Sequence, residues 1–169
     1  MQRIKTPDPV QFIELVSAYQ TPLLRMCCLR LGDAELAKDA VQETFLKAYK
    51  ALPSFRGECS MQSWLMRIAI NTCRDMQRSW WHRHVNRNIT PEEVNVSCET
   101  VSDDAITVTQ AIAALPVRLR ETVLLYYYQD MQLDEIAQAL GISPSSVSGR
   151  LKRARARLRT ALKGVYFDE

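Results

Sequence analysis

The segment from Leu133 to Ser148, LDEIAQALGISPSSVS, constrains the fold of this chain more than any other part of its sequence. Two helices that meet at a sharp angle need a small residue where they touch, and Ala137 supplies it. The turn between them needs a residue that tolerates a positive φ, which Gly141 does. Ser143 can cap a second helix that opens with Pro144. The segment therefore predicts a helix-turn-helix.

Apolar residues at helical spacing complete this motif. They are expected to fill the wedge between the two helices: Ile136, Leu140, Ile142, Val147 and Leu151. An ordinary hairpin of two helices is the alternative interpretation. The agreement of the small residue, the turn glycine, the cap and the apolar wedge favours the helix-turn-helix.

The second helix of the motif continues into a strongly basic stretch. A recognition helix lies in the major groove of DNA with its N-terminal part near the base edges. The residues expected at the bases are Ser145, Ser146, Ser148 and Gly149. The basic residues beyond them are Arg150, Lys152, Arg153, Arg155 and Arg157. We expect phosphate contacts from these side chains, and Arg150 and Arg153 can also pair bidentately with guanine. A solvated helix face is the alternative for any basic run.

The rest of the chain also favours helices. Only five glycines occur among 169 residues, and long alternating runs of β-branched residues are missing. Asp8-Pro9 and Thr21-Pro22 each predict a helix start. A further helix is predicted from Asp33 to Leu52, after Gly32 has ended the preceding one. Another is predicted from Ser60 to about Trp80.

Helical periodicity is lost between residues 81 and 104. This stretch is polar and holds five acidic but only two basic residues from position 79 to position 105. Such a composition predicts a flexible linker. We therefore predict an all-α fold with two small helical domains, residues 8–80 and 105–163, joined by a linker over 81–104.

The cysteines and the hydropathy narrow the class of protein. The five cysteines include no CxxC pair, and no apolar run reaches the roughly 20 residues that span a bilayer. These features predict a cytoplasmic protein with free thiols. A zinc site made by Cys73, His82, His84 and Cys98 would have no standard ligand spacing, so we predict neither a metal nor a cofactor.

A catalytic function has little support in the sequence. The alternative considered is a cysteine hydrolase that uses Cys73 with His82. The sequence offers no orienting acid at useful spacing, no glycine-rich phosphate loop and no nucleophile elbow. We predict that the chain is not an enzyme and has no small-molecule substrate.

Longer segments resemble a known family. DAVQETFLKAYKALPSFRGE, which begins at Asp39, and WLMRIAINTCRD, which begins at Trp64, resemble domain two of sigma factors. LPVRLRE, which begins at Leu115, and the helix-turn-helix are similar to domain four of the same family. The similarity covers residues 8–162 and is typical of extracytoplasmic-function sigma factors, which direct core RNA polymerase to promoters.

The resemblance implies roles for three sets of residues. Domain four would bind the minus-thirty-five promoter element as duplex through the helix-turn-helix residues given above. Domain two would melt the minus-ten element and hold it as single strand. The implied minus-ten residues are Phe55, Arg56, Arg67, Asn71, Arg74 and Arg78. The implied polymerase-binding residues are Asp39, Gln42, Glu43 and Leu46, which would dock on the β′ clamp helices.

The resemblance also implies other partners and leaves alternatives open. The partners are the β flap of polymerase, promoter DNA and an anti-sigma factor, which is often membrane-anchored in this family. Phe55 is equally well explained as an apolar anchor of its loop. A repressor would also carry a helix-turn-helix, and it would bind duplex DNA tightly without polymerase, as a dimer on a palindrome.

The chain departs from the family pattern at two positions of the motif. Gln132 stands where a serine or threonine cap is common, which predicts a less firm start for the following helix. Ser148 stands where arginine or lysine is frequent, which leaves the minus-thirty-five sequence preference open. Gly149, within the helix, is expected to permit a close approach to the DNA backbone.

Overall fold

The computed structural model describes residues 7–84 and 103–163, and each regular element in these two ranges is helical. The elements are α1 (Pro9–Leu31), α2 (Ala34–Ala51), a 3₁₀ turn (Leu52–Ser54), α3 (Met61–His84), α4 (Asp103–Ala113), α5 (Val117–Val123), a π-helical turn (Leu124–Tyr128), α6 (Leu133–Leu140) and α7 (Pro144–Ala161). The predicted all-α fold, with a group of helices on each side of the linker, is confirmed.

The first two helices begin and end at the residues that the sequence indicates. The Asp8 carboxylate accepts a hydrogen bond from the backbone N–H of Val10 at 3.1 Å, at the start of α1. Gly32 ends that helix with a φ of 71°, a left-handed conformation that glycine adopts without steric cost. The Asp33 carboxylate then caps α2 by accepting from Leu36 N–H at 2.9 Å. The structure therefore confirms the predicted start of α1 at Asp8-Pro9, its end at Gly32 and the start of α2 at Asp33.

The predicted helix start at Thr21-Pro22 is wrong, because α1 continues through Pro22 without a break. A proline inside a helix lacks an N–H donor and crowds the preceding turn. Packing of the next turn offsets this cost, since Leu23 and Met26 are completely buried. The Pro22 carbonyl also accepts a hydrogen bond from Gln129 Nε2 at 3.1 Å. Tertiary contacts therefore override the local start signal.

Helix α3 extends to His84, beyond the end near Trp80 that the sequence predicts. Helix α4 begins at Asp103, just inside the predicted linker. The greater part of that linker lies outside the described residues, so its predicted flexibility is untested.

Helices α1, α2 and α3 pack together as the N-terminal bundle. The inner side of α2 and the residue that follows it are buried at Ala37, Val41, Ala48 and Leu52. The side chains that α3 buries are Leu65, Met66, Ala69, Ile70 and Cys73. Alanines on α2 and α3 allow the helices to approach closely, and the larger apolar residues fill the space between them. The exposed sides of α2 and α3 are thereby held in fixed positions.

Helices α4 to α7 form the C-terminal bundle. Its predicted wedge is buried at Ile136, Leu140, Val147 and Leu151, and Ile142 is half-buried. Gly141 makes the turn with a φ of 67°, as predicted. The Ser143 hydroxyl caps α7 by accepting from Ser146 N–H at 3.2 Å. The helix-turn-helix is therefore present as the sequence predicts.

Gln132 starts α6 with help from a residue of the following turn. The Glu135 carboxylate accepts a hydrogen bond from the Gln132 backbone N–H at 2.9 Å. This bond lowers the pKa of the Glu135 carboxyl, and burial opposes it. One backbone N–H group at the start of the helix thus has a hydrogen-bond partner, although the usual serine or threonine cap is missing.

The two bundles lie against each other. The α3 side chain of Gln62 donates from Nε2 to the Gln129 carbonyl at 2.7 Å. At the start of α3, Ser60 and Ser63 donate from their hydroxyls to the Glu135 carboxylate at 3.0 and 3.2 Å. No local sequence pattern predicts this association, because it joins residues far apart in the chain.

Candidate nucleic-acid interface

Helix α7 presents its predicted DNA-contacting side to solvent. The exposed members of the set are Ser145, Ser146, Ser148, Lys152, Arg153, Arg155 and Arg157. The half-buried members are Gly149 and Arg150. The opposite side of the helix is anchored by Val147, Leu151 and Ala154, which are buried. A cationic surface on a rigidly packed helix suits insertion into a groove of duplex DNA.

Arg155 is held in place by two tyrosines that the sequence analysis missed. Its Nε donates to the Tyr127 hydroxyl at 2.8 Å, and its guanidinium lies over the rings of Tyr126 and Tyr127 at 5.5 and 5.8 Å from their centroids. These contacts orient a side chain that would otherwise sample many rotamers. The run of three tyrosines from Tyr126 to Tyr128 is the sequence feature that could have indicated this contact.

A groove of about 540 Å³ runs between the start of α5 and α7. Arg118 lines it from α5, and Arg150, Arg153 and Arg157 line it from α7. Arg118 is another cationic residue that the sequence analysis missed, because it lies outside the recognition helix. The groove extends the basic surface beyond the helix-turn-helix itself.

Arg150 lies deeper in this groove than its neighbours. Burial lowers the pKa of its guanidinium, and the carboxylate of Glu121 opposes that effect. Its Nη1 is buried and has no hydrogen-bond partner among the described residues. A donor in this state would gain most from an added acceptor such as a phosphate.

No close contact with the residues that the structure describes requires a glycine at position 149. A Cβ at this position would meet only Arg153 Nη1, at 3.9 Å, which is an ordinary van der Waals distance. Its predicted role in approaching the DNA backbone has no test in the protein alone and stays a prediction.

Helix α3 carries the second predicted nucleic-acid surface. Arg67, Asn71 and Arg78 are exposed, and Arg74 is about one third exposed. Their spacing of four, three and four residues aligns them along one side of the helix. Three guanidinium groups and one amide therefore form a polar stripe along α3.

The loop before α3 adds an aromatic side chain beside this helix. Phe55 is half-buried, and its ring centroid lies 5.1 Å from that of Trp64 with the rings tilted by 42°. The contact fits an apolar anchor of the loop, and the partial exposure leaves part of the ring open to stacking. Arg56, next in the chain, is exposed.

Arg74 is the one residue of the stripe that turns toward the other bundle. Its Nη2 lies 2.8 Å from Glu121 Oε2, and its Nε lies 3.2 Å from Oε1. Arg30 from α1 binds the same carboxylate, with Nε 2.8 Å from Oε1. Sequence analysis missed both Arg30 and Glu121, since each looks like an ordinary charged residue on an amphipathic helix.

The predicted polymerase-binding residues share one exposed side of α2. Asp39, Gln42 and Glu43 are exposed, and Leu46 is 52% exposed. Gln42 and Leu46 also border an apolar groove of about 590 Å³ between α1 and α2. The other apolar side chains along it are Phe12, Val16, Leu24, Val41, Phe45 and Tyr49. An exposed leucine beside an apolar groove is suited to contact with another protein.

Three cysteines, Cys27, Cys28 and Cys73, lie in the core of the N-terminal bundle, and Cys59 is half-buried in the loop before α3. The sulfurs of Cys27 and Cys73 are 3.7 Å apart. Cys73 is completely buried, which suits neither a nucleophile that must meet substrate nor an accessible metal ligand. Cys98 and the side chains of His82 and His84 lie outside the described part. Among the described residues, no group of three or more potential ligands could hold a metal ion.

A search of the described helices for one long and apolar enough to cross a membrane found none.

Comparison with known families assigns both bundles. Residues 15–83 match the model of sigma-70 region 2, and residues 106–158 match that of sigma-70 region 4. These ranges contain the α3 stripe and the helix-turn-helix, respectively. Together they cover more than half of the chain.

Individual relatives agree with the family models. The chain is 30% identical to the RNA polymerase sigma-H factor of Pseudomonas aeruginosa, over 99% of this chain and 94% of the relative. It is 28% identical to the ECF RNA polymerase sigma factor SigW of Bacillus subtilis, over 98% and 96%. The sigma factor RpoE of Bartonella quintana, solved in complex with the anti-sigma factor NepR, has the same fold: its TM-score is 0.82 at 22% identity, covering 94% of this chain and 99% of that one. The chain belongs to the sigma-70 family, in its extracytoplasmic-function (ECF) group of transcription initiation factors.

Proposed function

We propose that this sigma factor joins core RNA polymerase and uses two separate surfaces to select promoters. Helix α7 binds the minus-thirty-five element as duplex, and the α3 stripe with Phe55 and Arg56 holds the minus-ten element as single strand. The observation that supports this best is the presence, on one chain, of a basic helix-turn-helix and of a second exposed arginine and asparagine stripe. A simple repressor would need only the first.

The α3 stripe has the chemistry that single-stranded DNA requires. Extruded bases must be held outside the duplex, at a cost of a few kcal/mol for each step. Stacking of one base on an aromatic ring returns about 1–3 kcal/mol. Phe55 offers the ring, Asn71 offers paired donors and acceptors for a base edge, and the arginines offer phosphate contacts.

Docking to polymerase is assigned to the exposed side of α2. Asp39 and Glu43 supply negative charge, and Leu46 supplies an apolar contact beside the groove between α1 and α2. Such a surface fits a basic helical partner. The family resemblance implies that this partner is the pair of clamp helices of the polymerase β′ subunit. The C-terminal bundle would contact the β flap, and that contact follows from the family resemblance alone.

An anti-sigma factor is the proposed regulator. Family resemblance supports this partner, and the RpoE relative of the same fold was solved with one bound.

Run-off transcription with purified core enzyme tests the proposed function. We expect the reconstituted enzyme to make discrete transcripts from a subset of genomic fragments, and core enzyme alone to make none of them. Absence of both promoter-dependent product and core binding would refute the proposal. Tight, specific duplex binding by the chain alone would favour a repressor instead.

A charge reversal on α2 tests the docking surface. Glu43→Lys should weaken competition for core polymerase, because it places a cation where a basic partner docks. Glu14→Lys, which reverses an exposed charge on α1, is the matched control. Equal competition by both variants would remove Glu43 from the docking surface.

A further inference from the structure

The contact between the two bundles is centred on a buried carboxylate. Glu121, on α5, and Arg30, on α1, are each only 1% exposed, and they are separated by 91 positions in the sequence. A buried ion of either sign is costly unless it is paired and hydrogen-bonded. The pair therefore couples the position of the C-terminal bundle to that of the N-terminal bundle.

The same carboxylate also binds Arg74 through two roughly parallel hydrogen bonds. The contacts are Nη2 to Oε2 at 2.8 Å and Nε to Oε1 at 3.2 Å. This forked geometry is the one that arginine also uses to bind phosphate. Glu121 thus occupies on Arg74 the position that a phosphate group of a nucleic acid could take.

Positive charge exceeds negative charge around Glu121. Arg120 lies close to Arg30, and both burial and that neighbour lower the pKa of the Arg120 guanidinium. Arg150 interacts electrostatically with both Glu121 and Arg74, and within the described part of the chain its buried Nη1 has no hydrogen-bond partner. One carboxylate is thus shared among several guanidinium groups, and added anions would find donors there.

Other polar contacts also join the bundles, and apolar side chains of both bundles belong to one buried core. The polar contacts are Gln62 to the Gln129 carbonyl, Gln129 to the Pro22 carbonyl, Ser60 and Ser63 to Glu135, and Arg120 Nη1 to the Arg30 carbonyl. Such hydrogen bonds exchange readily with water, since their net contributions are modest. Loss of the Glu121 contacts would remove the buried charge pairing that joins the bundles, and it would therefore weaken their association.

We propose that Glu121 acts as an internal substitute for a nucleic-acid phosphate: it binds Arg74 and closes the C-terminal bundle onto α3, and DNA phosphates compete with it for Arg74. The proposal rests on the assignment of Arg74 to the minus-ten surface. In the closed arrangement Arg74 is withheld from DNA while Arg67, Asn71 and Arg78 stay exposed. Arg74 is then released only when the two bundles separate. The same separation moves the two proposed DNA-binding surfaces apart.

The variant Glu121→Gln tests the proposal on the full chain. It keeps the shape of the side chain and removes the charge that holds Arg30 and Arg74. We expect a larger radius of gyration than that of wild type in small-angle X-ray scattering, since the closed wild-type chain of 169 residues should lie near the roughly 15 Å of a compact domain. Glu14→Gln, an equal change of charge at an exposed position of α1, should scatter like wild type.

Nucleic-acid binding is the second measurement. The probe is a mixed-sequence single-stranded DNA of about twenty nucleotides, long enough to cover an ordinary single-strand site. Glu121→Gln should bind it roughly tenfold more tightly than wild type, because a charge-assisted contact becomes available. Adding Arg74→Gln to that variant should cancel the gain.

Three outcomes decide the matter. Unchanged scattering and unchanged DNA affinity in Glu121→Gln would overturn the proposal. Expansion without a gain that depends on Arg74 would overturn the competition with phosphate, although run-off transcription could still succeed. Should the variant fail to fold by circular dichroism, hydrogen exchange of the wild type decides: the DNA must accelerate exchange in α6 and in the first turn of α3, and equal exchange overturns the proposal.

Discussion

Helices α7 and α3 both carry a row of cationic residues, but they present it differently. On α7 the cations other than Arg150 are exposed, and Arg155 is already oriented by Tyr126 and Tyr127. On α3 the row is interrupted, because Arg74 is bound to a buried carboxylate of the other bundle. The proposed duplex-binding surface is therefore formed within one bundle, whereas the proposed single-strand surface depends on how the two bundles are arranged.

Removing a core side chain of the helix-turn-helix should affect the C-terminal bundle far more than the N-terminal bundle, and it is the largest effect that we predict. Ile136 is completely buried between α6 and α7. Ile136→Ala should lower the free energy of unfolding of the C-terminal bundle by about 2–5 kcal/mol, through lost burial and the cavity left behind. Chemical denaturation measures this. Single-stranded DNA binding by the N-terminal bundle should survive, and its loss would contradict the separation of the two surfaces.

Arg153→Ala should weaken binding of the holoenzyme to the minus-thirty-five element by roughly 1–3 kcal/mol if the side chain contacts a base. Equilibrium binding to promoter fragments with each base pair changed in turn checks this. A uniform loss across all fragments would mark Arg153 as a phosphate contact. Arg159→Ala, at an exposed position near the end of α7, is the matched control.

Asn71→Ala tests the other surface and should have a smaller effect on binding than on promoter opening. Loss of the amide removes contacts to an extruded base, worth about 1 kcal/mol for a typical hydrogen bond. Open complexes, detected by permanganate reactivity of unpaired thymines, should decrease while competition for core polymerase is unchanged. An equal fall in core affinity would show that Asn71 has a different role.

Tyr127→Phe should produce the smallest effect. It removes the hydroxyl that accepts from Arg155 and keeps the ring beneath the guanidinium. Because both side chains reach solvent, we expect a loss of about 0.5 kcal/mol in duplex affinity. Fluorescence anisotropy with a labelled duplex can resolve this. A tenfold loss would mean that Tyr127 contacts DNA itself.

The parts of the molecule that the sequence predicts are those with local causes. Gly141, Ser143 and Pro144 each satisfy a geometric need of the turn or the cap, so the helix-turn-helix can be inferred from neighbouring residues. The exposed side of α2 follows in the same way from helical spacing. Residues with local causes leave a pattern that can be found in a single sequence.

The parts that the sequence does not predict depend on distant residues. Pro22 has the local signal of a helix start, yet the buried side chains after it keep α1 continuous. Arg30 and Glu121 pair over 91 positions, and charged residues with so wide a separation show no periodic signal. Arg74 was predicted to belong to the minus-ten surface, and that prediction gives no sign of its hydrogen bonds to Glu121.

The most direct test of the account uses a fork-junction promoter, double-stranded at the minus-thirty-five element and single-stranded at the minus-ten element. The promoter would be chosen from fragments that the reconstituted polymerase transcribes. Binding is measured for the chain alone, for core enzyme alone and for both together. We predict tight, sequence-specific binding only when both are present, since polymerase must hold the two surfaces apart. Equally tight binding by the isolated chain would contradict the account.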